Sequence, residues 1–253
     1  MINSLITAGG TSEPIDSVRS ISNTATGRLG SLIADAFVAE GNPAVNVFYV
    51  CAHNALRPQS KAVTCVEIGS VAELQTAVVE LTAAYSINAV IHSMAVSDYR
   101  VRAVSTPQRL AALLPSETTD SGCTENDIVN AIAVTDIRAE TGKISSQLGN
   151  PLILLEQTPK ILPLFREMAS NAVIVGFKLL SGVSQTELFD TAYRLLVKSG
   201  CNYVLANDAS QIHGDQHEGH LIDSDQNKQT FKTKQEIANG IVKTVMKEVR
   251  DRI

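Results

Sequence analysis

Gly9, Gly10 and Thr11 follow the short apolar run Ser4-Leu5-Ile6-Thr7-Ala8, and the segment up to Gly30 brings Arg19, Ser22, Asn23, Thr24, Thr26 and Gly27. Glycine removes the side-chain barrier to positive φ and lets the backbone come close to a ligand. Hydroxyl, amide and guanidinium donors in one loop, with a helix opening behind it, are a means of holding an anion. Ile6 to Gly30 therefore reads as a phosphate-binding loop. Further along, Asp98 follows the apolar run Ala89 to His92 and suits a Mg²⁺ ion that bridges phosphates. Lys143 opens the polar, glycine-flanked stretch Lys143 to Asn150, which is expected to be a flap. There it would add mobile positive charge over developing phosphate charge. Phe177, between Gly176 and Lys178, would face a base. Taken singly, each residue has a plainer use: Arg19 and Lys178 as solvated charges, Asp98 as a cap, Phe177 as core. Their common position at strand ends favours the functional reading for the set.

The elements that must position these residues alternate. Leu29, Ile33, Ala36 and Phe37 repeat at helical spacing after Gly27. Ala44 to Cys51, bounded by Asn42-Pro43, and Val63 to Ile68 read as strands, and Gly69-Ser70 caps a helix over Val71 to Tyr85. Arg100 to Asp127 is the least regular part and is expected to be a loop; Asp127 to Glu140 reads as a helix ending before Gly142. Pro151 to Glu156 is apolar, and Thr158-Pro159 is expected to cap and open a helix running to about Ala169. Ala172 to Phe177 and Asn202 to Ala206 read as strands around a helix from Gln185 to Lys198. A hairpin over His220–Asp223 and Gln229–Lys232, then a helix from Lys234 to Val249, complete the pattern. Strand–helix alternation of this kind implies an α/β, Rossmann-like, mostly parallel sheet flanked by helices. Its ligands bind beyond the carboxyl ends of the strands.

With 253 residues, 44% hydrophobic and 19% charged, the chain suits one large domain over 1–253, with two small domains as the alternative. The net charge of −5 argues against a nucleic-acid partner. No apolar run approaches the roughly 20 residues of a membrane span. The start Met-Ile-Asn-Ser lacks the shape of a signal peptide, so a cytoplasmic protein is expected. Cys51, Cys65, Cys123 and Cys201 lie far apart and read as plain thiols. His213, His217 and His220 read as loop residues, with a metal site as the minor alternative.

Two other functions share this grammar. A dinucleotide-binding oxidoreductase is disfavoured by the absence of G-x-G-x-x-G and of a Tyr-x-x-x-Lys pair, since Tyr193 and Lys198 stand one residue too far apart. A non-catalytic nucleotide sensor would have no need of Asn23, Lys143 and Asp98 together. No Walker loop and no G-x-S-x-G elbow occur.

The pattern T-A-G-G-T-x-E-P-I-D-x-V-R-x-I-S-N-x-x-x-G-x-x-G from Thr7 to Gly30 resembles the signature of the phosphopantothenate–cysteine ligases. The resemblance continues in Ala95 to Arg100, Gly142 to Ser146, Thr158 to Leu162, Val175 to Phe177 and Ala206 to Asp208. It implies the stand-alone bacterial form, a homodimer acting on phosphopantothenate, cysteine and a nucleoside triphosphate, CTP above ATP, with Mg²⁺. By position it implies that Asn23 handles the acyl-nucleotide intermediate. Lys143 takes the first place of the family's lysine flap, whose K-x-K-K stands here as Lys143-Ile144-Ser145-Ser146. Arg19 falls near phosphates, and Gly9, Gly10, Thr11, Ser22, Ala95, Asp98, Phe177 and Lys178 fall where the nucleotide lies. The C-terminal hairpin becomes the expected dimer surface.

Overall fold

The computed structural model describes residues 1–40, 44–115, 123–138 and 142–253. In chain order it begins with β1 (Ile2–Ala8), β2 (Ser12–Pro14), β3 (Ser20–Ser22), α1 (Arg28–Glu40), β4 (Val45–Ala52), β5 (Val63–Ile68), α2 (Val71–Ala84) and β6 (Ala89–His92). Next come β7 (Tyr99–Ser105), α3 (Pro107–Leu113), α4 (Glu125–Val134), β8 (Leu152–Gln157) and α5 (Ile161–Met168). The chain continues through β9 (Val173–Leu180), α6 (Gln185–Ser199), β10 (Tyr203–His213), β11 (Gln216–Asp223), β12 (Lys228–Thr233) and α7 (Lys234–Arg252). Where one domain is expected, the described chain gathers into two compact units. One comprises residues 1–11, 23–96 and 160–253, the other 12–22 and 97–159.

The larger unit holds an eight-stranded sheet in the order β12-β11-β10-β9-β6-β1-β4-β5. It is parallel from β5 to β10 and antiparallel over the β10–β11–β12 edge. This is the α/β, Rossmann-like fold expected. The chain leaves β1 toward β4 and returns to its other side through β6, so the strand order reverses between β1 and β6. Ligands of open α/β sheets bind at such a reversal. Two apolar layers cover the sheet. Ile33, Ala34 and Phe37 of α1 and Ile237, Ile241 and Val245 of α7 are buried on one face. Leu74 and Val78 of α2, Phe165 of α5 and Leu188 and Leu196 of α6 fill the other. Each large side chain so buried contributes about 1.5–3 kcal/mol.

Helix ends follow local chemistry. Ser70 and Ser184 accept backbone N–H bonds at the starts of α2 and α6, and Gly200 ends α6 in the left-handed conformation at φ +64°. The expected cap at Thr158 is not one. Its Oγ1 donates to the Ser97 carbonyl at 2.5 Å and its N–H to the Asp98 carbonyl at 3.0 Å. Helix α5 begins at Ile161 behind Lys160, without a side-chain cap.

In the smaller unit, β2 pairs antiparallel with β3, and β7 with β8. The expected loop over Arg100 to Asp127 is corrected here: its described residues hold most of β7, all of α3 and the start of α4. Thr106-Pro107 supplies the N-cap and first helical position of α3, and Thr124 with Asp127 forms a capping box that starts α4 two residues before the expected Asp127. The helix expected to reach Glu140 stops at Val134 instead, where Thr135 turns extended as its C-cap and donates its N–H to the Ala131 carbonyl. Residues 116–122 of that segment, residues 139–141 and the Asn42-Pro43 boundary lie outside the described residues. Val101, Val104, Ile137 and Ile144 form the small core, with Ile15 and Leu148 packed on it.

Candidate active site

The loop behind β1 is zipped to the loop behind β6 at the strand reversal. Gly10 bridges Ala95; the Ala95 N–H donates to the Gly9 carbonyl at 2.9 Å, and the Thr11 N–H to the Ala95 carbonyl at 3.1 Å. Gly9 turns at φ +87°, a conformation L side chains rarely adopt. At Gly10 a Cβ would stand 2.5 Å from the Asn23 carbonyl oxygen and 2.8 Å from its Cβ. Glycine is thus what lets Asn23 come so close. The Asn23 N–H donates to the Thr11 carbonyl at 3.0 Å, and its Nδ2 to the Ala95 carbonyl at 3.1 Å. Backbone and side chain together fix a half-buried amide beside the first turn of α1.

That turn lines a cavity of about 570 Å³ on the sheet face covered by α1 and α7. Its walls combine Thr24 to Gly30 with Met94 and Ala95, Phe177, Asn207 and His217, and bring in the cations Arg28 and Lys234. The thirteen-residue α1 turns the positive end of its dipole there, with its first N–H, that of Arg28, donating to Thr26 Oγ1 at 3.4 Å. Phe177 and Leu179 both line the cavity, so alternation along β9 turns Lys178 to the other face of the sheet. Lys178 is thus not part of this wall.

Asn207, 6% exposed, faces His217, 5% exposed, with Nδ2 and Nε2 2.8 Å apart. The amide nitrogen donates, which makes Nε2 the acceptor and puts the imidazole proton on Nδ1. Burial, and next the charge of Lys234, push the His217 pKa down to about 4, so the ring is neutral near pH 7. Among the described residues, Asn207 Oδ1 and His217 Nδ1 have no protein partner. In the sequence Asn207 stands out only within the matched run Ala206 to Asp208, and His217 only as a loop residue; the β10–β11 pairing that joins them is non-local. The minor metal reading of the three histidines is not supported, since His220 turns instead to Thr230 Oγ1 at 2.9 Å and the ring of Phe189.

Four expected residues stand in the smaller unit. Asp16 organises two of them. Its carboxylate accepts the N–H groups of Val18 at 2.9 Å, Arg19 at 2.8 Å and Ile144 at 3.1 Å, and pairs with the Arg19 guanidinium through Nε at 3.0 Å and through Nη2. Arg19 Nη2 also donates to the Ile144 carbonyl at 2.7 Å, and the Ser17 N–H to the Gly142 carbonyl at 3.0 Å. The Arg19 side chain, followed by the backbone donors, holds the Asp16 carboxyl well below the usual carboxylate range. Arg19 and Lys143 line one open hollow of about 480 Å³ with Val18, Ile144, Ser145 and Ser146. The expected flap is therefore a loop pinned at Ile144, with Lys143 exposed beside Arg19. Ser22 is exposed on β3, where its hydroxyl meets Ser12 Oγ at 2.7 Å. Asp98 is exposed, and its carbonyl holds the Thr158 N–H. No group of three or more potential metal ligands occurs among the described residues.

The family is shown by sequence. Residues 2–111 and 111–249 match the signature of the DNA/pantothenate metabolism flavoprotein C-terminal domain. The chain belongs to this family. The coenzyme A biosynthesis bifunctional proteins CoaBC of Methanocaldococcus jannaschii and Thermococcus kodakarensis are 29% and 26% identical to it, over 97% and 94% of this chain. The chain spans about half the length of these curated relatives, 51% and 49%. A crystal structure of the DNA/pantothenate metabolism flavoprotein from Streptococcus pneumoniae superposes with a TM-score of 0.82 at 31% identity, covering 98% of this chain and all of that one. These matches are in keeping with the resemblance to phosphopantothenate–cysteine ligases. No described helix is long and apolar enough to cross a membrane.

Proposed function

We propose that this DFP-family chain is a phosphopantothenate–cysteine ligase that uses a nucleoside triphosphate, CTP before ATP. The observation that carries the reading is the cavity at the strand reversal, where a helix N-terminus, two cations and an aromatic ring surround one space beside Asn23. In the first step a carboxylate oxygen of phosphopantothenate bonds to the α-phosphorus. The bond from that phosphorus to the bridging oxygen breaks, and pyrophosphate leaves. In the second step the cysteine amine bonds to the acyl carbon, the carbon–oxygen bond to the phosphate breaks, and the nucleoside monophosphate leaves as the amine sheds a proton.

Both reactants of the first step are anions, so positive charge and orientation are the main requirement. Arg28, Lys234 and the first turn of α1 are placed to hold phosphate oxygens; Phe177 offers a face to the base. Asn207 and His217 offer a donor and an acceptor side by side, which suits a base edge carrying an amino group next to a ring nitrogen. Asn23 takes the acyl-nucleotide, while Arg19 and Lys143 meet phosphate charge. Mg²⁺, entering with the triphosphate and held on the protein side by Asp98, would neutralise phosphate charge. The enzyme works as a cytoplasmic homodimer, with the β11–β12 hairpin at its interface.

The test is CMP release from CTP that requires both phosphopantothenate and cysteine. Phosphopantothenate should also raise the melting temperature by linkage, whereas NADH should not. Stabilisation by NADH alone would favour the oxidoreductase reading, and nucleotide binding without CMP release would favour a sensor.

A further inference from the structure

Asp16 belongs to no reacting group, yet it gathers two cations of the smaller unit, Arg19 and Lys143, into one arm. A carboxylate that only closed the turn between β2 and β3 would need its two local bonds, to the N–H groups of Val18 and Arg19. The remaining bonds do something else. They pair with the guanidinium of Arg19 and reach the Ile144 N–H, 128 residues away along the chain. Arg19 completes the ring by donating to the Ile144 carbonyl. Both polar groups of the Ile144 backbone are thus tied to the Asp16–Arg19 pair, and Lys143 is the residue immediately before it. The Asp16 side chain is 1% exposed, while that of Arg19 is 46% exposed.

We propose that Asp16 is a positioning residue, a clasp that fixes the Arg19 guanidinium and the loop bearing Lys143 as one preorganised site for a phosphate group. The inference rests on the ligase reading given above. The physical reason is electrostatic. Two cations lining one hollow repel each other and, left to themselves, lose the shared geometry. A shielded anion bonded to both strands of the clasp offsets that repulsion and removes rotamer freedom before the ligand arrives. A planar guanidinium is required because it must meet a carboxylate and a carbonyl in fixed directions, which an ammonium does not do.

The test is a mutant cycle with Asp16→Asn, Arg19→Ala and the double variant, reading KM for phosphopantothenate and for CTP separately, together with kcat and the melting temperature. Asp16→Asn should raise one of the two KM values at least about 10-fold, equivalent to about 1.4 kcal/mol. The double variant should be no more than about 3-fold worse than Arg19→Ala alone, because both changes break the same arm. Which KM moves tells which phosphate the arm holds. Wild-type constants in Asp16→Asn, or losses that multiply in the double variant, would overturn the clasp. Should Asp16→Asn fail to fold, Arg19→Lys decides: the clasp predicts a loss close to that of Arg19→Ala, and wild-type behaviour contradicts it. Amide hydrogen exchange over residues 142–146 is independent of turnover. It should accelerate at least about 10-fold in Asp16→Asn and stay unchanged in Lys143→Gln. A wild type unable to release CMP would remove the ligase reading, while the exchange result would still judge the clasp.

Discussion

Lys143→Gln is expected to slow formation of the acyl-nucleotide about 100-fold, the typical loss when one preorganised donor to developing charge is removed. Glutamine keeps polarity at nearly the same length but cannot carry the charge that the transferring nucleotidyl group and departing pyrophosphate need. The loop itself should stay in place, because Ile144, 4% exposed, remains anchored in the small core and bonded to Asp16 and Arg19. Stability should therefore change little while the chemical step changes much. Pyrophosphate release in a single turnover with enzyme in excess over CTP checks this directly. A wild-type rate would reduce the loop to a cover over the hollow.

Asn23→Ala should leave the first step running and stop the second. The residue is held by its backbone N–H on the Thr11 carbonyl, by its amide on the Ala95 carbonyl and by the close approach that Gly10 permits. Such restraint is what a group needs if it is to meet an acyl intermediate in one orientation. Truncation removes the amide without disturbing the Asn23 N–H bond to Thr11. Pyrophosphate should appear in an amount close to one per active site and then cease, with the acyl-nucleotide recoverable from the quenched enzyme. Amide formation should fall by about 10²- to 10³-fold. Unaltered product formation would take Asn23 out of the mechanism.

How far the sequence could be read depended on the range of the interactions involved. The glycine loop, the helix behind it and the parallel strands were legible because apolar periodicity and glycine act locally. The same dipeptide, however, behaves in two ways. Thr106-Pro107 opens α3, while Thr158-Pro159 lies before a helix because the Thr158 hydroxyl and N–H are bound by Ser97 and Asp98. The choice between cap and tertiary anchor is made by a partner some sixty residues away. The β7–β8 pair was missed for a similar reason: β7 carries Arg100 and Arg102 among its apolar residues, and what makes it a strand is its distant partner.

At the site, Gly9, Gly10, Thr11, Asn23 and Ala95 meet at one backbone zipper, and Phe177 joins the cavity below it. Lys178 illustrates the limit: adjacency to Phe177 in the chain means opposition across the sheet. The cations that do line the cavity, Arg28 and Lys234, look like ordinary helix-start residues until the layers are assembled. Asp16 stood inside the motif, but nothing near it in the chain announces its bond to Ile144.

In the ligase proposed above, the first turn of α1 and the glycine loop hold the triphosphate. A crystal structure with CTP and magnesium tests it most directly. The expected result is electron density for phosphate oxygens against the backbone N–H groups of Gly27 to Gly30, with the base near Phe177. Density for the nucleotide on another surface, with that turn left bare, would contradict the account.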